Sequence, residues 1–290
     1  MVALLAALML SSPSVVATIN TGSKPCGSAT FGRYLYVDNY GAGTMSRINP
    51  ATNKVVRRLR VGSGPCGVVA GGGALWVEDF FRGQIVRVAP KRFRVTKRIT
   101  VGNRPWDVAY GFGSVWSSNQ ADGTVSRINP RTNKVVKTIR TGGNPACIRA
   151  GAGSMWVGSQ NTSAIFRIDP ASNKVRSIAV GHGSELCVDP HRNGVWVSDD
   201  TAGSVTRIDP ATNTVVGSVK VGTGPADGVR GADGNEWIPS ADGTISVIDP
   251  ATNTVVHTVH IGGHPFVVRS AFGDLWAGDF GGSTIKRIRP

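Results

Sequence analysis

The sequence predicts an all-β chain folded as a seven-bladed β-propeller, with four antiparallel strands in each blade. Three observations predict it. Prolines recur every 40 residues in two series. One runs Pro25, Pro65, Pro105, Pro145, Pro225 and Pro265, with Glu185 in the vacant slot; the other runs from Pro50 through Pro90, Pro130, Pro170, Pro210 and Pro250 to Pro290. An aromatic recurs with them, at Tyr36, Trp76, Trp116, Trp156, Trp196, Trp237 and Trp276. Finally, the last repeat stops at Pro290 after its third strand, and the missing fourth stands at the head of the chain. There, Val15–Gly22 matches Val135–Gly142. A fixed period of this size marks an array of supersecondary units. A closed ring uses a split repeat to pair its two ends and remove free edges.

Residues 1–14 read as a leader or signal-peptide remnant. Met1–Leu10 is a short apolar run followed by Ser-Ser-Pro-Ser, resembling the core and tail of a secretory signal, without the positive segment that usually precedes one. The natural start is therefore expected upstream. Spanning a bilayer takes about 20 apolar residues, so no membrane span is expected here or elsewhere. Cleavage after Ala17 would strip Val15 and Val16 from the closing strand, which argues against it. Residues 15–290 form one propeller domain.

Within each unit the first strand follows the opening proline, as in Pro65–Ala70, and the second carries the aromatic. The third reads Thr-Val-Ser-Arg-Ile-Asn/Asp-Pro, as in Thr124–Pro130, and the fourth resembles Asn213–Gly222. Short runs rich in Val, Ile, Thr and Trp between Gly, Pro, Asn and Asp are the strand signature. The Asn/Asp-Pro-Ala-Thr-Asn link is a turn: proline fixes φ, and the last Asn tolerates a left-handed backbone. A buried Trp covers about 150–250 Å², so the aromatic slot reads as packing between blades rather than a ligand cage. Trp237 falls one place late, and a bulge near Ala226–Gly228 is expected.

Composition bounds the function. The 38 glycines fit a turn-rich chain. Lys and Arg number 32 against 18 Asp and Glu, a formal charge of +14; this favours contact with polyanions but does not select a fold. Arg47, Arg87, Arg127, Arg167, Arg207 and Arg287 share one slot before the turn. That regularity points to structure, through the turn Asp or a neighbouring blade. Lys54, Arg57, Arg58 and Arg60, with Lys91, Arg92, Arg94, Lys97 and Arg98, make a basic rim on the outermost strands of blades one and two. The rim binds an anionic envelope polymer or protects exposed edges from pairing. A secreted chain makes nucleic acid an unexpected partner. Walker loops, Gly-x-Ser-x-Gly elbows and His-Glu-x-x-His are absent.

Tyr36-Val37-Asp38-Asn39, and the Trp-Val-x-Asp versions that follow, resemble the YVTN-type β-propeller repeat family over residues 15–290. The resemblance implies a seven-bladed propeller in a secreted, periplasmic or cell-surface setting. The pattern is also similar to the virginiamycin B lyase group, and fold alone does not choose between them. The lyase group implies strand-one histidines, glutamates after the aromatic and a magnesium ion. Here the glutamate slot holds Asn39, Asp79, Asn119, Ser159, Asp199 and Asp279, and the one histidine near the right place is His264. His264 with Asp279 is the candidate acid/base pair. His182, His191, His257 and His260 read as solvated, on connections or outer strands.

Cys26 and Cys66 occupy one slot in blades one and two; Cys147 and Cys187 occupy the next slot in blades four and five. Equivalent innermost positions of adjacent blades lie about 6 Å apart, within disulfide range, so pairings 26–66 and 147–187 are favoured. A Cys₄ zinc site lacks close ligand spacing; free thiols are the third reading. At the channel mouth, Asn39, Asp79, Asn119, Asp199 and Asp279 follow the aromatic, Asp107 and Asp227 follow the proline, and Trp106 and Phe266 lie beside them. The set suits a cationic or sugar-like ligand, or else caps turns. Arg149, Arg230 and Arg269 fall seven residues before the aromatic and either face the channel to bind an anion or pair with Asp189. The expected function is a monomeric, non-enzymatic binding or scaffold propeller. It would take a small molecule, peptide or anionic polymer without a cofactor. The alternative is a streptogramin lyase or a metal-dependent lactonase at the same face, with magnesium or calcium at the mouth.

Overall fold

The computed structural model describes residues 12–181 and 183–290. The apolar run Met1–Leu10 and His182 lie outside the described residues. The chain is a seven-bladed propeller of four-stranded antiparallel blades. Blade one comprises Pro25–Phe31, Tyr34–Asn39, Thr44–Asn49 and Lys54–Arg60, from the axis outward. The other blades repeat this order every 40 residues. Blades four and five also touch through a single strand bridge, Ser159 to Glu185.

The ring closes as the split repeat demands. Ser14–Asn20 pairs antiparallel with Thr284–Arg289, aligning Val15 with Ile288 and Ile19 with Ile285. Ile19, Leu35, Val37, Ile48, Trp276 and Ile285 then form one buried cluster across the seam between blades seven and one. Equivalent clusters fill the other gaps, such as Trp116, Val125, Ile148, Met155 and Val157 between blades three and four. The core therefore lies between blades. Each buried Trp still has a polar edge to satisfy, and Trp76, Trp116 and Trp156 donate Nε1–H to the carbonyls of Gly71, Gly111 and Gly151 at 3.0 Å.

The repeated arginines and the turn motif are one device. In the turn, Asp209 Oδ1 accepts the Ala211 amide at 2.8 Å. Asn213 closes the turn with φ 62°, as Asn53, Asn133, Asn173 and Asn253 do in theirs. The Asn side chain is then free to accept from the preceding blade. Arg167 Nη1 donates to Pro210 O at 2.6 Å and to Asn213 Oδ1 at 2.8 Å, and its guanidinium lies 4.8 Å from the Trp156 ring. Arg127, Arg207 and Arg287 make the same contacts with the next blade. Arg287 does so across the seam.

Blade six departs from the pattern elsewhere than expected. Blades one, three, four and seven slip register just after their opening proline, as between Pro265 and Val267, and blade five does so after Glu185. The extra residue of blade six sits instead in the turn 231–235, where Gly231 N donates to Asn235 O at 2.8 Å. Its inner strand is reduced to Val229–Arg230. Asp227 leaves that strand and pairs in parallel with Val267 of blade seven.

Candidate functional site

The innermost strands all begin at one face, so the residues after each opening proline converge on the axis there. Cys26–Cys66 staples blades one and two, and Cys147–Cys187 staples blades four and five, with Cα separations of 4.9 and 4.8 Å. No free cysteine remains, so a Cys₄ zinc site is ruled out.

Below this rim the channel is plugged by charge. Arg149 of blade four reaches across to Asp107 of blade three and Asp227 of blade six, and Arg269 of blade seven donates to Asp227 Oδ2 at 2.6 Å. Burial works against the Asp227 charge, but the two guanidiniums outweigh it and hold this carboxyl below the usual range. Burial pushes Asp107 up, and Arg149 offsets this only in part.

Two further carboxylates lie beside the plug, and the sequence reading passed over them. Glu78 and Asp38 follow their aromatics by two places, where blades three and five carry Ser118 and Ser198. Those serines donate across to the next blade, at Ala146 O and Ala226 O. Glu78 instead accepts from the amides of Cys66 and Gly67. Gly67 has no side chain, and a Cβ there would collide with Asp107 and crowd Glu78 Oε2. Asp38 is fully buried, and neither of its carboxyl oxygens has a hydrogen-bond partner. Burial pushes Asp38 well above the usual carboxylate range; Glu78 is raised likewise, with Asp38 and Asp107 adding to it.

Above the plug the mouth is aromatic. Tyr40, Phe80, Trp106, His264, Phe266 and Phe280 line a cup of about 210 Å³ floored by Gly64 and Cys66. Phe280 stands 5.5 Å from Tyr40, 5.2 Å from Phe266 and 6.1 Å from His264, and Phe80 stands 6.0 Å from Trp106. Two exposed cations sit at its edge. Lys24 Nζ lies 5.6 Å from the Phe280 ring centre, and the charge of Arg104 reaches the Tyr40 hydroxyl.

The polar residues after the aromatics brace the loops behind the cup. Asn39 Nδ2 donates to Thr44 and Ser46 at 3.1 and 3.0 Å, and Asn119 Nδ2 to Thr124 and Ser126 at 3.0 and 2.9 Å. Asp79 accepts from Ser63 N at 2.8 Å and pairs with Arg82 and Arg98. Asp199 accepts from Thr201 N and Ala202 N, both at 2.9 Å. Asp279 Oδ1 takes the backbone amide of His264 at 2.8 Å, while the His264 ring packs edge-on to Phe266 and Phe280. The imidazole and that carboxylate thus meet through the backbone only.

Arg230 stands apart from Arg149 and Arg269. The longer turn in blade six puts Val229 opposite Trp237, where blades four and seven put Arg149 and Arg269 opposite Trp156 and Trp276. Arg230 Nη1 donates to Asn193 Oδ1 at 3.2 Å, outside the plug. Its backbone amide, at 3.0 Å, reaches Asp189. His191 is not on a connection or an outer strand: it ends the innermost strand of blade five.

The ligand-type side chains that converge near the mouth are not free to take a magnesium or calcium ion. Among the described residues, three metal-ligating side chains converge there once, at Cys147, Cys187 and Asp227. The two sulfurs are joined in a disulfide, and Asp227 is committed to arginines.

No family model and no curated protein matches the chain. Among solved structures it is similar to a streptogramin B lyase, with a TM-score of 0.84 and 13% identity over 96% of this chain and 97% of that one. It is similar to virginiamycin B lyase from Staphylococcus aureus, at 0.82 and 14% over 96% and 99%. It is also similar to hydrazine synthase from Kuenenia stuttgartiensis, at 0.83 and 15% over 93% and 96%. At these identities the likeness shows the fold alone, and the fold hosts more than one chemistry. Among the described residues, no helix is long and apolar enough to cross a membrane.

Proposed function

We propose that this chain is an extracytoplasmic binding propeller whose aromatic mouth takes a flat apolar ligand bearing a negative group. The cup carries the reading: five aromatic rings and an imidazole converge there, the plug closes its base to the channel, and Lys24 and Arg104 flank its edge. Concave apolar surface with a few polar groups at its rim is the usual form of a small-molecule site. In this reading Asn39, Asp79, Asn119, Asp199 and Asp279 hold the loops that present the rings, and Asp107 and Asp227 hold the floor. The two disulfides and the leader-like start support a secreted, periplasmic or cell-surface setting, as does the resemblance to YVTN-type repeats.

The test uses 1-anilinonaphthalene-8-sulfonate, an aromatic anion, with energy transfer from tryptophan as the readout. Aromatic contacts are worth about 0.5–1.5 kcal/mol each. Trp106→Ala and Phe280→Ala should therefore each weaken binding by roughly threefold to tenfold, while Phe112→Ala, at an exposed turn, should not. Binding unchanged by both cup variants would defeat the proposal.

A second reading, lyase activity at the same mouth, is favoured by the His264 ring in the cup together with the likeness to two lyases. One of the similar structures is a catalytically inactive His-to-Ala variant of the Staphylococcus aureus enzyme with quinupristin. Quinupristin incubated with the protein and magnesium, followed by mass spectrometry, separates the two readings. Ring opening abolished by His264→Ala establishes the second; intact quinupristin leaves the binding reading in place.

A further inference from the structure

Near the start of strand two, every blade places a residue that fills the gap to the preceding blade. Leu35, Leu75, Val115, Met155, Val195 and Leu275 hold this slot, immediately before the aromatic, and all are fully buried. Blade six carries Glu236 there instead, also fully buried. Neither of its oxygens has a hydrogen-bond partner. A carboxylate in an aliphatic slot is costly unless something compensates it.

The gap it enters holds a second anomaly. On blade five, Asp189 stands opposite Trp196, and His191 follows two residues later on the same face of the strand. His191 Nε2 lies 3.0 Å from Asp189 Oδ2 and 3.5 Å from Glu236 Oε1. One ligand atom from each of the three residues falls within 4.8 Å of the other two. The side chains of Asp189 and His191 are 17% and 25% exposed, so solvent reaches the group. Strand direction places it at the end of the channel opposite the aromatic cup, beside the shortened inner strand of blade six.

We propose that Asp189, His191 and Glu236 bind a divalent transition cation of the zinc class, joining blade five to blade six. Zinc takes imidazole nitrogen and carboxylate oxygen at about 2.0–2.2 Å, four-coordinate, and three protein ligands leave one position for water. The edge of such a tetrahedron is roughly 3.3–3.6 Å, close to the two separations His191 makes. The Arg230 amide, 3.0 Å from Asp189 Oδ2, orients that carboxylate from outside. A cation would also compensate the buried Glu236 carboxylate more closely than His191 does from 3.5 Å. It would brace the blade whose inner strand is shortened to Val229–Arg230.

Isothermal titration with zinc chloride, and thermal unfolding with and without zinc, test this on the full chain. The expected result is one zinc per chain and a rise in melting temperature on adding it. His191→Ala should weaken binding on the order of 100-fold or more, since even outer partners of metal ligands are worth 10–100-fold. Glu236→Leu restores the aliphatic that the other blades use. It should fold at least as stably as the parent in metal-free buffer and lose the zinc-induced shift. His257→Ala with His260→Ala, on the outermost strand of blade six, should leave the stoichiometry at one. No zinc binding, or binding that survives both His191→Ala and Glu236→Leu, would overturn the proposal.

Discussion

Replacing Arg127 by alanine tests whether the blades are latched by the repeated arginines. Arg127 Nη1 donates to Pro170 O at 2.7 Å and Asn173 Oδ1 at 2.9 Å, Nε donates to Ser114 at 3.0 Å, and the guanidinium lies 4.6 Å from the Trp116 ring. A hydrogen bond to a charged group nets about 1.5–3 kcal/mol when buried; the low end applies to this half-buried site. Stacking on the indole adds about 0.5–1 kcal/mol. The expected loss is about 2–4 kcal/mol, read as a lowered urea midpoint at constant slope. Arg127→Lys keeps the charge but neither the planar fork nor the stack, and should recover less than half. A double-mutant cycle with Asn173→Ala should show coupling of about 0.5 kcal/mol or more. A loss below about 0.5 kcal/mol, the size of an ordinary surface change, or a cycle without coupling, would refute the latch.

The seam offers a comparison. Arg287 reaches Pro50 O at 2.7 Å and Asn53 at 3.0 Å and also pairs with the buried Asp274, where Arg127 has the Ser114 hydroxyl, so Arg287→Ala should cost at least as much as Arg127→Ala; a smaller cost in the same urea assay would mean a looser seam. Each disulfide closes a 40-residue separation, for which chain-entropy reasoning gives roughly 4 kcal/mol. The Cys26→Ser, Cys66→Ser double variant should show a loss of that order against denaturant, and non-reducing peptide mapping should find no pairing but 26–66 and 147–187. Asp38 and Glu78 have raised folded-state pKa values, so their contribution is fully present below the ordinary carboxyl range and is lost as pH rises through the raised values. Asp38→Asn with Glu78→Gln should therefore gain on the parent as pH rises above the ordinary carboxyl range. Asp227, held low by Arg149 and Arg269, has the opposite sign. Its contribution is present above the ordinary range and is lost on acidification, and Asp227→Asn should cost about 3 kcal/mol at neutral pH by leaving Arg269 without its carboxylate and Arg149 with Asp107 alone.

The fold was legible because the period is fixed by backbone requirements. Proline and the left-handed Asn recur wherever the chain turns, and Val15–Gly22 can pair with blade seven only if the ring closes. The mouth was harder to read. The sequence placed Asn39, Asp79, Asn119, Asp199 and Asp279 beside the channel, but it does not say which way a polar side chain turns. Amides, hydroxyls and, at Asp79, two arginines claim all five. What remains at the mouth is aromatic: besides Trp106 and Phe266 it holds Tyr40, Phe80 and Phe280, which directly follow Asn39, Asp79 and Asp279 in the sequence. Arg230 was misplaced for a different reason. Counting back from the aromatic ignores one residue added to the turn, and a shift of one in a strand sends a side chain to the other face.

Breaks in a repeat are informative to different degrees, and compensation separates them. Blade two lacks the turn Asn and carries Phe93 at φ 49° instead. Arg47 of blade one consequently has no amide oxygen to reach. The loss is made good nearby: Phe93 is buried 5.6 Å from Tyr36, Arg47 lies 4.6 Å from the Tyr34 ring and 5.2 Å from Phe93, and Tyr36 donates to Pro90 O at 3.4 Å. One latch has been exchanged for another, and the break is structural. Glu236 breaks its slot with no such exchange. Its aliphatic packing is gone, no hydrogen-bond donor sits at ordinary geometry on its oxygens, and the groups that face it across the gap are a histidine at 3.5 Å and a second carboxylate. An uncompensated break that faces other ligand-type side chains needs a guest to complete it. That is why the metal proposal rests on Glu236 rather than on Asp79, Asp199 and Asp279 of the mouth, which have partners, or on Asp38, which has none but stands outside the groups of three converging ligand-type side chains found among the described residues.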